Sequence, residues 1–136
     1  MSQLGCTCGH VISDGTDRLP YKGYVVRDVH YYDFLGWLVE EAQSYLKASR
    51  DGETPKWFLE RGYGQRYIDL KLDDSSVLFD RITSELSRLE REVYECLACG
   101  RIHIETQEDN RFQSYAPENG RLNDVLAGVR ADIEHR

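Results

Sequence analysis

Two short stretches hold every cysteine of the chain: CTCGH at residues 6–10 and CLACGR at residues 96–101. No cysteine lies between Cys8 and Cys96. Thiols that only filled a core would be scattered. Bridges within either pair would staple almost nothing, and Met1 to Cys8 has neither the basic region nor the apolar run of an export signal, so a disulfide framework is not expected. Four thiolates around one Zn²⁺ satisfy the chemistry better, because a closed tetrahedral sulfur shell is the usual structural zinc site. The expected ligands are Cys6, Cys8, Cys96 and Cys99. Each pair is followed by glycine, Gly9 and Gly100, which gives the chain a left-handed turn after the second sulfur. Amides in such a turn can also donate to the thiolates and support them. His10 and His103 lie close enough in sequence to replace one cysteine. A thioredoxin-like reading of CLAC requires a helix after the motif, whereas Arg101 to Glu105 reads as a strand.

These residues, C-T-C-G-H and C-L-A-C-G-R, resemble a zinc ribbon. The resemblance covers residues 3–13 and 92–116 and implies two turns that pinch one metal, each leading into a β-strand. The first pair departs from the pattern, being C-x-C and not C-x-x-C. The gap between the pairs is also far longer than in a compact ribbon, so a helical insert, residues 28–92, is expected inside it. The expectation is one α+β domain over residues 1–136. Two or three helices pack on a small antiparallel sheet, and the cysteine site joins the N-terminal segment to the C-terminal hairpin.

Periodicity supplies the elements. Residues 9–14 and Tyr24 to Arg27 read as short strands separated by turn formers. Tyr31, Phe34, Leu35, Leu38, Val39, Ala42, Tyr45 and Leu46 recur at helical spacing and predict one apolar stripe with Tyr31 and Tyr45 in the core. Lys47 and Arg50 fall near the end of that helix, where cations suit its dipole. DGETP at 51–55 breaks it. Residues 56–72 predict a helical turn, a loop and a weak strand through Tyr67, Ile68, Leu70 and Leu72. Leu78, Ile82, Leu86, Leu89 and Val93 predict a second long helix, capped by Asp74, Ser75 or Ser76, with Arg81, Glu85, Arg88 and Glu92 on its outer face. Arg101 to Glu105 and Arg111 to Tyr115 form a hairpin. A last helix is expected over residues 122–134, with Leu122, Val125, Leu126, Val129 and Ile133 inward.

The charge balance narrows the function classes. Seventeen basic against 24 acidic residues give −7, and the arginines stand singly, so the basic patch of a nucleic-acid binder is missing. No stretch approaches the ~20 apolar residues of a membrane span, and a soluble cytoplasmic protein is expected. GYG at 62–64 lacks the Gly-Lys-Ser/Thr ending of a phosphate loop. His103-Ile104-Glu105 has the H-x-E of a deaminase but follows CLAC, with no proline before Cys96. His30 sits between Asp28 and Asp33, with no nucleophile placed beside it. A four-thiolate site leaves no open position for water, so the chain is expected not to be an enzyme.

Nine tyrosines are present, and tyrosine suits interfaces because it joins apolar area to a hydrogen-bonding tip. Tyr21, Tyr24, Tyr32, Tyr63 and Tyr67 are the candidate binding residues. In small size, acidity and tyrosine content the chain resembles the immunity proteins that neutralise bacterial toxins. That resemblance implies a protein partner such as a basic toxin domain, met by Asp, Glu and Tyr side chains. Two rival readings are a nucleic-acid or transcription-associated ribbon module and an enzyme whose site carries no recognisable motif.

Overall fold

Helix α1 spans Asp28–Arg50, with Asp28 in its first turn and Lys47 and Arg50 in its last, the arrangement the helix dipole favours. In this computed structural model, which describes residues 3–108 and 110–126, the chain then turns at Asp51–Glu53. Helix α2 follows over Thr54–Glu60, with Pro55 in its first turn, where the missing N–H costs nothing. Helix α3 is Gln65–Asp69 and α4 is Asp74–Leu89. The cap of α4 is Asp73, one residue earlier than expected, whose carboxylate accepts the Ser76 amide at 2.7 Å.

Residues 26–89 form one compact unit. Its core is Tyr45, Ala48, Trp57, Phe58 and Val77, edged by Tyr63, Tyr67, Ile68 and Leu78. The rings meet edge to face, as for Tyr45 on Trp57 at 4.9 Å and Phe58 on Tyr67 at 5.2 Å, the packing their quadrupoles prefer. The inward face of α1 differs from the expected stripe. Phe34, Trp37, Leu38, Glu41, Tyr45 and Ala48 turn inward, while Tyr31 is 47% exposed and Leu35, Val39 and Leu46 also face solvent. The reason is electrostatic. Glu41 is buried and accepts Arg61 Nη2 at 2.6 Å and Arg81 Nε at 2.7 Å, so a charged residue occupies the middle of the packed face. Arg81 is therefore an inner residue of α4 and not an outer one.

Of the expected strand over 67–72, residues 67–69 belong to helix α3 and residues 70–72 form no strand. Tyr67 stacks on Tyr63 at 4.4 Å and its hydroxyl donates to Asp80 at 3.0 Å, while Leu70 is exposed. The apolar residues at 67 and 68 are adjacent, which breaks strand alternation.

The other unit joins residues 1–25 to 90–136. Strands β1 (Gln3–Gly5) and β2 (Val11–Ser13) form an antiparallel hairpin around the first cysteine pair. Strands β3 (Lys22–Val26), β4 (Glu90–Glu95), β5 (Ile102–Glu105) and β6 (Phe112–Tyr115) form a four-stranded sheet in that order. The fold is thus α+β, with four helices and two small antiparallel sheets among the described residues. Strand β4 replaces the end of the expected second helix. That helix stops at Leu89, and Val93, expected on its apolar stripe, is buried in the sheet opposite Ile104. Strand β3 begins two residues earlier than read. Of the expected last helix, residues 122–124 are not helical, and Asp124 has φ +50°. Val129 and Ile133 lie outside the described residues.

Candidate metal centre

Each cysteine pair sits in a turn closed by backbone hydrogen bonds. In the first, the Cys6 amide donates to His10 O and the Gly9 amide to Cys6 O, both at 2.9 Å. In the second, the Cys96 amide donates to Arg101 O at 2.8 Å and the Gly100 amide to Cys96 O at 2.7 Å. Gly9 and Gly100 have φ +97° and +82°, the left-handed region that side chains resist. Gly100 is constrained twice, because a Cβ there would lie 2.8 Å from the Leu122 Cα. The register β4–β5 holds the second turn, pairing Glu95 with Ile102 directly beneath it.

The two turns bring four sulfurs to one point. Cys6 Sγ lies 3.6 Å from Cys99 Sγ, and Cys8 Sγ lies 3.6 Å from Cys96 Sγ. All four lie within 4.8 Å of one another, a group able to hold a metal ion. Cys96 and Cys6 are buried, Cys99 is half-buried and Cys8 is exposed. Ile12 and Tyr94 pack around the sulfurs, with Leu4, Tyr21 and Phe112 at the edge.

Without a metal, the thiols titrate unequally. Burial raises Cys96 to about 12, although the Cys99 and Ala98 amides favour its thiolate. Burial also raises Cys6. Burial resists ionisation of Cys99 too, but the Arg101 amide and guanidinium and the Cys6 and Cys96 thiols outweigh it and bring Cys99 down to about 6. Arg101 Nη1 donates to Cys99 Sγ at 3.3 Å. The site therefore holds protons that a metal must displace, which couples metal affinity to pH.

His10 and His103 do not join this group. His10 is exposed. His103 is 2% exposed, lies opposite Tyr94 in β4 and Ser114 in β6, and meets Ser114 Oγ through Nδ1 at 2.6 Å. Its Nε2 is buried with no hydrogen-bond partner among the described residues. Burial, helped by Arg101, lowers its pKa.

The five tyrosines fall in different settings. The Tyr21 hydroxyl donates to Ser13 O. Tyr24 and Tyr32 are 54% and 71% exposed. Tyr63 and Tyr67 pack against the Phe58 ring and serve the helical core. Two arrangements were missed in the sequence. Arg101, two residues past the last thiol, reaches back to it. Asp14 accepts both the Tyr94 hydroxyl and Lys22 Nζ, the latter at 2.7 Å, which ties the loop after β2 to β3 and β4. Proximity of cation and thiol in CLACGR was the one available hint.

Residues 2–119 match a domain of unknown function, DUF8617, and the chain belongs to that family. No curated protein and no solved structure matches it. Among the described residues no helix is long and apolar enough to cross a membrane.

Proposed function

We propose that the chain is a non-catalytic protein-binding protein whose sheet unit is closed by one structural Zn²⁺. The sulfur spacing carries the metal half of this reading. With Zn–S bonds of ~2.3 Å, tetrahedral geometry sets neighbouring sulfurs ~3.8 Å apart, against 3.6 Å for the two close pairs. Tetrahedral thiolate shells suit zinc, with iron the competing occupant. Four protein ligands complete the coordination shell, so no bound water remains to be activated. That favours a structural ion over a catalytic one.

The binding half rests on surface chemistry. A net charge of −7 suits a basic partner, which complementary potential would steer and orient. Tyr24 and Tyr32 present aromatic area to solvent. The finer form of this reading is an inhibitor that covers a basic toxin domain. The test is recovery of the tagged protein from its native host, with co-purifying proteins identified by mass spectrometry. One stoichiometric basic partner, weakened by salt and by reversing the exposed charges Asp33 and Glu40, is the expected result. Recovery of the chain alone after cross-linking would contradict it.

A further inference from the structure

Helix α1 carries two apolar faces, and the fold uses one. Tyr45 and Ala48 belong to the core of the helical unit, Trp37 lies under Arg81, and Phe34 and Leu38 are half-buried on the same side. About a third of a turn away, Tyr31, Leu35, Val39 and Leu46 are 47%, 38%, 57% and 46% exposed. Their spacing, with Ala42 between the last two, follows one ridge of the helix through four turns. Such an aligned row differs from the single surface apolar residues that need no explanation.

The charges at the two ends of this row identify its occupant. Asp28 stands at the first turn and Arg50 at the last. Both are exposed and neither has an ion-pair partner among the described residues. Beside the last turn lies an open groove of about 600 Å³ lined by Gln43, Leu46, Lys47, Ser49, Arg50 and Asp74. At the opposite end, Tyr31 and Tyr32 form an exposed edge-to-face pair with centroids 5.2 Å apart. An aromatic pair beside Asp28 at one end, and Leu46 beside Arg50 at the other, are complementary to each other. A surface of that kind fits its own copy related by a twofold axis.

We propose that the exposed face of α1 pairs antiparallel with α1 of a second copy of this chain. In that pairing Tyr31 lies on the second copy's Leu46, Leu35 faces Ala42, and Val39 sits beside its own counterpart at the twofold axis. Asp28 then meets the second copy's Arg50, twice by symmetry. Two chains of like net charge repel, but beyond ~8 Å that repulsion is screened at physiological ionic strength, while the seam itself pairs opposite charges. The inference uses neither the metal nor the basic partner, so it stands or falls apart from the proposed function.

Sedimentation velocity of the metal-replete full chain tests it, over about 1 to 200 µM, the range of a modest association. The expected species at the upper end has twice the 15.8 kDa chain mass. Val39→Lys sets two like charges against each other at the axis and should weaken association by about 100-fold or more. Val39 is mostly exposed, so circular dichroism should be unchanged. Asp28→Arg and Arg50→Asp should each weaken association several-fold, and the two together should restore it. A monomer throughout, a dimer indifferent to Val39→Lys, or a double exchange weaker than either single one would each overturn the proposal.

Discussion

The two units reach stability by different routes. The helical unit is one continuous stretch, residues 26–89. Its aromatic cluster and the Glu41–Arg61–Arg81 clamp are assembled from neighbours along the chain. The sheet unit is built from both ends of the sequence, and its closest sulfur pairs span 93 and 88 positions. Closing a loop of that length costs about 4 kcal/mol by chain statistics. Structural zinc binding in small peptides supplies roughly 10–16 kcal/mol, so a bound ion outweighs the closure cost severalfold. Local aromatic packing suffices where segments are contiguous; distant segments gain most from a cross-link.

If that contrast is right, Cys96→Ser should have the largest effect of any single change. Cys96 is fully buried, and its loss should abolish stoichiometric metal binding and the amide-exchange protection of Ile102–Glu105. Both tryptophans, Trp37 and Trp57, belong to the helical unit, so their fluorescence should shift far less. Equal loss of both signals would break the contrast.

Glu41→Gln should rank next. It leaves two arginines packed against an uncharged amide, and breaking such a partly buried pair costs on the order of 3 kcal/mol. Burial alone would raise the Glu41 pKa, but Arg61 and Arg81 hold it below the usual carboxylate range. Because the folded pKa is depressed, this contribution is complete above the unfolded pKa near 4.5 and is lost as pH falls through the folded value. Thermal melts read by tryptophan fluorescence should show the gap between wild type and Glu41→Gln narrowing below that pH.

Gly100→Ala should cost about 2 kcal/mol for its left-handed backbone, with more from the Leu122 contact. It should act on the sheet unit and lower metal affinity, as a competitive chelator titration would reveal. Smallest is Tyr45→Phe, which removes the 2.7 Å bond to Asp74 and should lower helical-unit stability by about 1 kcal/mol in urea unfolding.

The same contrast explains what could be read beforehand. The cysteine site was legible because cysteine pairs followed by glycine have few other uses in so short a chain. The β5–β6 hairpin was legible because TQEDN at residues 106–110 reads as a turn between two short strands. Helix α1 was legible as a helix, but its inner face was not. Hydrophobic spacing cannot show that Glu41 will be neutralised by arginines 20 and 40 positions away. Strand β4 was misread because Val93 fell by chance on the period of the preceding helix. The zinc-ribbon pattern itself offered the correction, since a turn beginning at Cys96 needs a strand leading into it. Helix α3 was missed because five residues are too few for periodicity to settle, and Tyr67 is placed by its stack on Tyr63.

The central claim, one zinc ion closed by four thiolates, is tested most directly by X-ray absorption at the zinc edge on the protein as purified. The account predicts one equivalent of zinc with four sulfur neighbours at ~2.3 Å. A shell containing nitrogen or oxygen, or protein that folds and carries no zinc, would contradict it.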